Sequence, residues 1–169
     1  MTATVHEFTS ALERQTALRR AFGCFGTGVT VVTVQSQGAP VGMTANSFSS
    51  ISLDPPLVLW APSVLSLRHS HFVNATEFCI HVLGADQLNV ARHFARSGSD
   101  FSTVTWDTGP LGAPRISGCL AEFHCTTHAV HPAGDHSLIL GEVVHVAENE
   151  TGANGLLFER GQFGQFQPL

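Results

Sequence analysis

Apolar positions follow two periods along this chain. Over roughly Phe8 to Phe22, and on to Phe25, the residues Leu12, Leu18, Ala21, Phe22 and Phe25 recur at helical spacing, and Gly23, Gly26 and Gly28 end the run. The next segment, Val29 to Val34, is a β-branched run that helices disfavour and pleated sheets accept. Gln37 to Pro40 is turn chemistry, which predicts a hairpin into a second strand at Val41–Thr44. Further strands are predicted at Phe48–Leu53, Leu57–Trp60, Phe78–Leu83, Cys119–Val130 and His136–Val146, with a last pair around Leu156–Phe158 and Gln162–Phe163. Between them lie a helical patch at Leu65–Val73, a short helix at Gln87–Phe94 with Asp86 as N-cap, and an irregular excursion from Ser97 to Gly118. Six or more strands without βαβ alternation predict a mainly β barrel or sandwich with a few covering helices. Gly23-x-x-Gly26-x-Gly28 has the wrong order for a dinucleotide fingerprint and follows a helix, so it reads as a helix stop.

Composition narrows the chemistry. With 169 residues, 43% of them hydrophobic and 12% charged, the chain suits one compact domain over 1–169. All eight basic residues are arginine, and tyrosine is absent. A Schiff-base lysine, a phosphate-loop lysine and a tyrosine/lysine proton-donor pair are therefore excluded. A net charge of −5 with scattered arginines argues against nucleic-acid binding. Met1 to Thr16 lacks the apolar run of a secretory signal, and no stretch approaches the roughly 20 apolar residues of a membrane helix. Cys24, Cys79, Cys119 and Cys125 show no Cys-x-x-Cys spacing, so buried thiols in a cytoplasmic protein are expected.

Three stretches carry candidate chemistry, each with an ordinary structural account beside it. Thr44 to Ser52 holds five hydroxyl residues and one asparagine without a charge, and hydroxyls and amides can hold phosphate and the polar rim of a heterocycle. The plain alternative is a polar turn followed by a serine-coated strand. Gly134-Asp-His-Ser137 places His136 just after a tight turn at the mouth of a strand, either facing a ligand or in water. Phe158 to Phe163 sets aromatics and an arginine beside Gly161, or forms an edge strand. Metal binding by His69, His71 and Glu77 is disfavoured, because residues two apart diverge around a helix. His124 and His128, four apart, are expected on one face of a strand. Without a Gly-x-Ser-x-Gly elbow or a local cysteine signature, hydrolase chemistry is not expected.

Taken in order, these pieces resemble the flavin reductase-like proteins of FMN-binding split-barrel fold, the small reductase components of two-component flavin-dependent monooxygenases. The likeness runs from about Leu18 to Phe163. It is carried by Arg20 to Thr33, Gly42-Met-Thr-Ala-Asn-Ser-Phe-Ser-Ser50, Ser52-Leu-Asp-Pro-Pro-Leu-Val-Leu59, His81-Val-Leu with Asp86-Gln, Arg92-His-Phe-Ala95, and Ala133 to Val143. The resemblance implies a six-stranded antiparallel split β-barrel, with a core at about 18–163 and a flexible arm at 1–10. It implies a homodimer with flavin at or near the interface.

Carried over by position, Thr44, Ala45, Asn46, Ser47 and Phe48 would line the isoalloxazine, with Ser50 and Ile51 reaching toward ribityl and phosphate. Ser66 and Leu67, then Phe94 and Ala95, would hold the phosphate side. His136 would position the nicotinamide, with Phe163 beside it. The implied activity is hydride transfer from NADH, or NADPH, to FMN or FAD, with reduced flavin diffusing to a separate monooxygenase. The other reading is a split-barrel protein that binds flavin or haem without turnover. The chain departs from the family at Leu156-Leu-Phe-Glu-Arg-Gly, where a tyrosine is usual, and in the loop Ser63–Arg68, whose single cation is Arg68.

Overall fold

The computed structural model describes residues 5, 7, 10–149 and 152–168. Helix α1 (Ala11–Phe22) is followed by strands β1 (Thr27–Gly28), β2 (Thr30–Ser36), β3 (Ala39–Ala45), β4 (Ser49–Leu53) and β5 (Pro56–Trp60). Then come α2 (His69–Val73), β6 (Glu77–Val82), a 3₁₀ turn at Ala85–Gln87 and α3 (Leu88–Arg96). A small hairpin, β7 (Trp106–Thr108) with β8 (Pro114–Ile116), precedes the long strands β9 (Ala121–Ala133) and β10 (His136–Glu148). Strands β11 (Leu156–Glu159) and β12 (Gln162–Gln165) close the chain.

The main sheet is antiparallel throughout and has seven strands in the order β3-β2-β6-β9-β10-β5-β4, while β1, β11 and β12 form a second sheet. Strand β2 explains its own β-branched run. Val32 and Val34 enter one core with Trp60, Phe78, Ile80 and Ile139, whereas Val29 and Val31 enter another with Leu83, Phe94 and Ile116. A strand buried on both faces reads as continuous apolar sequence rather than alternation.

His81 joins these parts. It is fully buried on β6, its Nδ1 lies 3.0 Å from the Val31 carbonyl, and its Nε2 accepts the Ile116 N–H at 3.0 Å. That pair of partners requires the neutral ring with its proton on Nδ1. Burial accordingly lowers its pKa from 6.5 to about 4. Nearby, buried Glu122 pairs with Arg115 at 2.9 Å and with His124 at 3.4 Å.

Several expectations are corrected. The 97–118 excursion contains the β7–β8 hairpin. Asp86 does not cap α3: Gln87 occupies that position, and its side chain instead binds Gly84 N and Ser117 O. His124 and His128 stand in different surroundings: His124 is buried, and His128 is exposed at a register shift that pairs Leu140 with Ala129 and Gly141 with Thr127 and leaves it as an extra, bulged residue. Cys24 is exposed, unlike the other three thiols. The expected arm at 1–10 and the helix start at Phe8 lie largely outside the described residues.

Candidate functional site

The segment joining β3 to β4 is shaped by its own hydroxyls. Thr44 Oγ1 donates to the Ala91 carbonyl at 2.7 Å, tying the strand end to α3. Ser47 Oγ accepts from Ala61 N at 2.9 Å, and Phe48 stacks on Phe123 with centroids 5.4 Å apart. Ala45 offers its carbonyl to Thr30 Oγ1 at 2.8 Å. Asn46 is left exposed, and its Nδ2 donates to Thr27 Oγ1 at 3.2 Å. The segment is therefore held rigid, with Asn46 as its outward polar group. On β4, a register shift between Ser50 and Ser52 leaves Ile51 as an extra residue, so Ser50 and Ile51 are both exposed.

One guanidinium gathers the remaining stretches singled out in the sequence. Arg68 Nη1 donates to the carbonyls of Gly42 at 2.9 Å and Phe94 at 2.6 Å, and its Nη2 donates to that of Ala95 at 3.3 Å. Its own N–H is accepted by Ser66 Oγ at 3.2 Å. Residues 42, 66–68 and 94–95, separate in sequence, thus meet at one point. Arg68 is consequently occupied by main-chain carbonyls rather than held out as a free cation, and burial lowers its pKa. The Phe94 side chain does not face a ligand. It is fully buried against Phe101, 4.9 Å between centroids, and fills the space where a Cβ on Gly42 would stand 2.6 Å away. Phe94 can contribute only its backbone, whereas Ala95 and Leu67 are at the surface.

His136 opens β10 after a turn in which Gly134 has φ +66. Its Nδ1 lies 2.8 Å from Asp135 Oδ1, and this contact holds the Asp135 carboxyl below its usual range. The ring is half-exposed and turned by Asp135, with Nε2 as the nitrogen that Asp135 leaves available. The following residue, Ser137, is pinned by His69 Nε2 at 2.9 Å, while His71 Nδ1 reaches Ser36 Oγ at 2.8 Å. The two histidines of the His-x-His pair therefore serve different strands. Phe163 packs 5.1 Å from the Phe158 ring, with the Arg92 guanidinium 6.0 Å from its centroid.

Beside Asn46 lies a cleft of about 1030 Å³, between the end of α1 and the β11–β12 turn. Its lining includes Phe25 and Phe158, Asn46 and Thr27, and Arg19, Arg20 and Arg160. Arg19 also lies close enough to Asp135 to favour that carboxylate, which connects the rim to the His136 hairpin. Apolar walls with a few convergent polar groups suit a flat heterocycle, and the cleft is large enough for a nucleotide. The residues present therefore fit a flavin. Sequence reading noted Arg160 beside Gly161 and Arg20 within a family stretch, but did not place them with Arg19 in one site. Arg160 comes from the far end of the chain; the β1–β11 pairing and the bond from Arg160 N to the Gly23 carbonyl, at 2.7 Å, bring its turn to the helix end.

Comparison with known proteins agrees with this geometry. The flavin reductase like domain matches residues 22–167. The FMN reductase (NADH) SmoA of Agrobacterium fabrum is 47% identical over 161 residues, covering 95% of this chain and 91% of that one. The solved NADH:FAD oxidoreductase of Streptomyces globisporus, in complex with NAD and FAD fragments, superposes with a TM-score of 0.86 at 43% identity, covering 96% and 98% of the two chains. A reductase subunit of a flavin-dependent monooxygenase from Rhodococcus jostii is 36% identical over 151 residues, 89% of this chain and 77% of that one.

Proposed function

Since the chain belongs to the flavin reductase-like family, we propose that it is an NADH-dependent flavin reductase that reduces FMN or FAD and supplies the product to a separate monooxygenase component. The observation that carries this reading is the convergence of three family stretches on Arg68, beside a rigid polar segment that leaves Asn46 exposed at an aromatic-walled cleft. Bound flavin supplies the hydride-accepting ring. The protein supplies position. Main-chain groups of Thr44 to Phe48 and the Asn46 and Ser47 side chains meet the polar edge of the ring, where fixed donors stabilise the charge that reduction creates. Ser50 and Ile51, with Ser66 and Leu67 and the main chain of Phe94 and Ala95, flank the ribityl and phosphate side.

His136 acts as an orienting contact for the nicotinamide, its ring set by Asp135, because hydride transfer needs no proton from it. Phe163 closes the same end. NADH is the preferred donor over NADPH.

We read 1–169 as a single domain that works as a homodimer. Helix α1 buries no residue within one chain, and Leu53, Leu65 and Leu67 are 97%, 85% and 99% exposed. A second copy would cover such a surface. No helix among the described residues is long and apolar enough to cross a membrane. Four free thiols accord with action in the reducing cytoplasm. Mixing the purified protein with NADH and then FMN or FAD, and following the nicotinamide absorbance band, tests the activity. Flavin-dependent loss of that band is expected, and a yellow protein inert toward NADH would refute turnover.

A further inference from the structure

A cation strengthens the hold on a nucleotide phosphate, and the loop expected to flank it offers only Arg68, which is engaged with the carbonyls of Gly42, Phe94 and Ala95. Arg115 is likewise committed to Glu122, at 2.9 Å. Three of the eight arginines, Arg19, Arg20 and Arg160, instead line one cleft of a chain whose formal charge is −5.

Helix electrostatics explain part of this placement, since Arg19 and Arg20 occupy the last turn of α1, where cations complement the dipole. Arg160 follows from no such rule. It sits at φ +49 in the β11–β12 turn, a conformation that non-glycine residues seldom adopt, and its backbone N–H is bonded to the Gly23 carbonyl. That bond brings a third guanidinium to the same rim.

Two carboxylates lie nearby. Glu159 meets Arg160 at a loose 3.5 Å, and Asp135 is shared between Arg19 and His136. Among the described residues, no carboxylate forms an ion pair with Arg20. The same cleft is lined by Phe25, Phe158 and Asn46, which offer a heterocycle apolar surface and a polar group.

We propose that Arg19, Arg20 and Arg160 form the anion subsite of the cleft, holding the phosphate or pyrophosphate of the flavin or nicotinamide nucleotide. The assignment rests on the flavin reductase reading above. It supplies, from the junction of α1 with the C-terminal hairpin, the cations that the Ser63–Arg68 loop does not offer. Guanidinium suits that task because its fixed fork can donate two parallel hydrogen bonds to phosphate oxygens.

Binding tests it directly. Dissociation constants are measured by fluorescence or calorimetric titration for riboflavin, FMN and FAD, and for nicotinamide riboside, its mononucleotide and NAD⁺. The wild-type protein is compared with R19Q, R20Q, R160Q and the triple variant. Each guanidinium removed should weaken a phosphate-bearing ligand roughly tenfold, the scale of a charge-assisted hydrogen bond. Riboflavin and nicotinamide riboside, which lack phosphate, should hold their affinities. Loss confined to FMN and FAD identifies the flavin phosphate as the occupant; loss confined to the mononucleotide and NAD⁺ identifies the nicotinamide nucleotide. The subsite is overturned if both phosphate series bind the triple variant as tightly as wild type, or if the phosphate-free ligands weaken equally. Its failure is separable from failure of the enzyme reading, in which wild-type protein would oxidise no NADH with any of the three flavins.

Discussion

Acid should unfold this protein through His81. The ring is wholly buried, donates from Nδ1 to the Val31 carbonyl and accepts at Nε2 from the Ile116 N–H. Protonating Nε2 would aim a proton at a donor and leave a charge in the core. The folded pKa of about 4 therefore lies below the unfolded value of 6.5. Between those values the unfolded chain binds the proton and the folded one does not, so stability rises with pH across the window. Stability is complete above pH 6.5 and is progressively lost as pH falls toward 4. A gap of about 2.5 pH units corresponds to about 3 kcal/mol. That is a substantial share of the stability of a small domain.

Urea unfolding at half-unit steps from pH 7.5 to 4 measures the slope. Other groups titrate in the same range, so the comparison is with His81→Gln, whose amide can donate to Val31 and accept from Ile116 without gaining a proton. The wild type should lose about 3 kcal/mol more than this variant between pH 6.5 and 4. Parallel curves would refute the neutral buried histidine and the hydrogen bonds assigned to it.

Three further outcomes follow from the site and its surroundings. His136→Ala should raise the KM for NADH more than that for flavin in steady-state kinetics, and unchanged NADH kinetics would defeat its orienting role. Arg68→Met removes the donor for three carbonyls and should cost about 2–4 kcal/mol in denaturant unfolding, with weakened flavin binding, whereas a loss below about 0.5 kcal/mol would mean that water satisfies those groups. If a second copy covers the exposed leucines, Leu53→Asp together with Leu67→Asp should shift the protein from dimer to monomer in light scattering, and an unshifted mass would place the interface elsewhere.

Much of the fold was legible because its signals are local. The β-branched run of β2, the turn glycines and the alternation in the long strands report backbone preferences that need no knowledge of partners. Polar groups were less legible, because what a side chain does depends on what the fold sets beside it. His124 and His128 illustrate the limit: a period of two could not say that one would lie buried beside Glu122 and the other stand exposed at a bulge in the pairing of β9 with β10. Phe94 illustrates another, since its position in a family stretch said nothing about its ring turning into the core.

By itself the sequence determined the mainly β class, the order of the elements and the family motifs around Asn46 and His136, all of which are short-range properties. It also excluded lysine and tyrosine chemistry outright. Only the tertiary structure decided where the cations go. Arg68 was drawn onto three carbonyls because its loop packs against the end of α3. Arg160 was brought to the cleft of Arg19 and Arg20 because the β1–β11 pairing and the bond from Arg160 N to the Gly23 carbonyl dock the C-terminal hairpin beside the end of the first helix. Charge is written in the sequence, but the field at a site is a sum over distances, and those distances exist only in the folded chain.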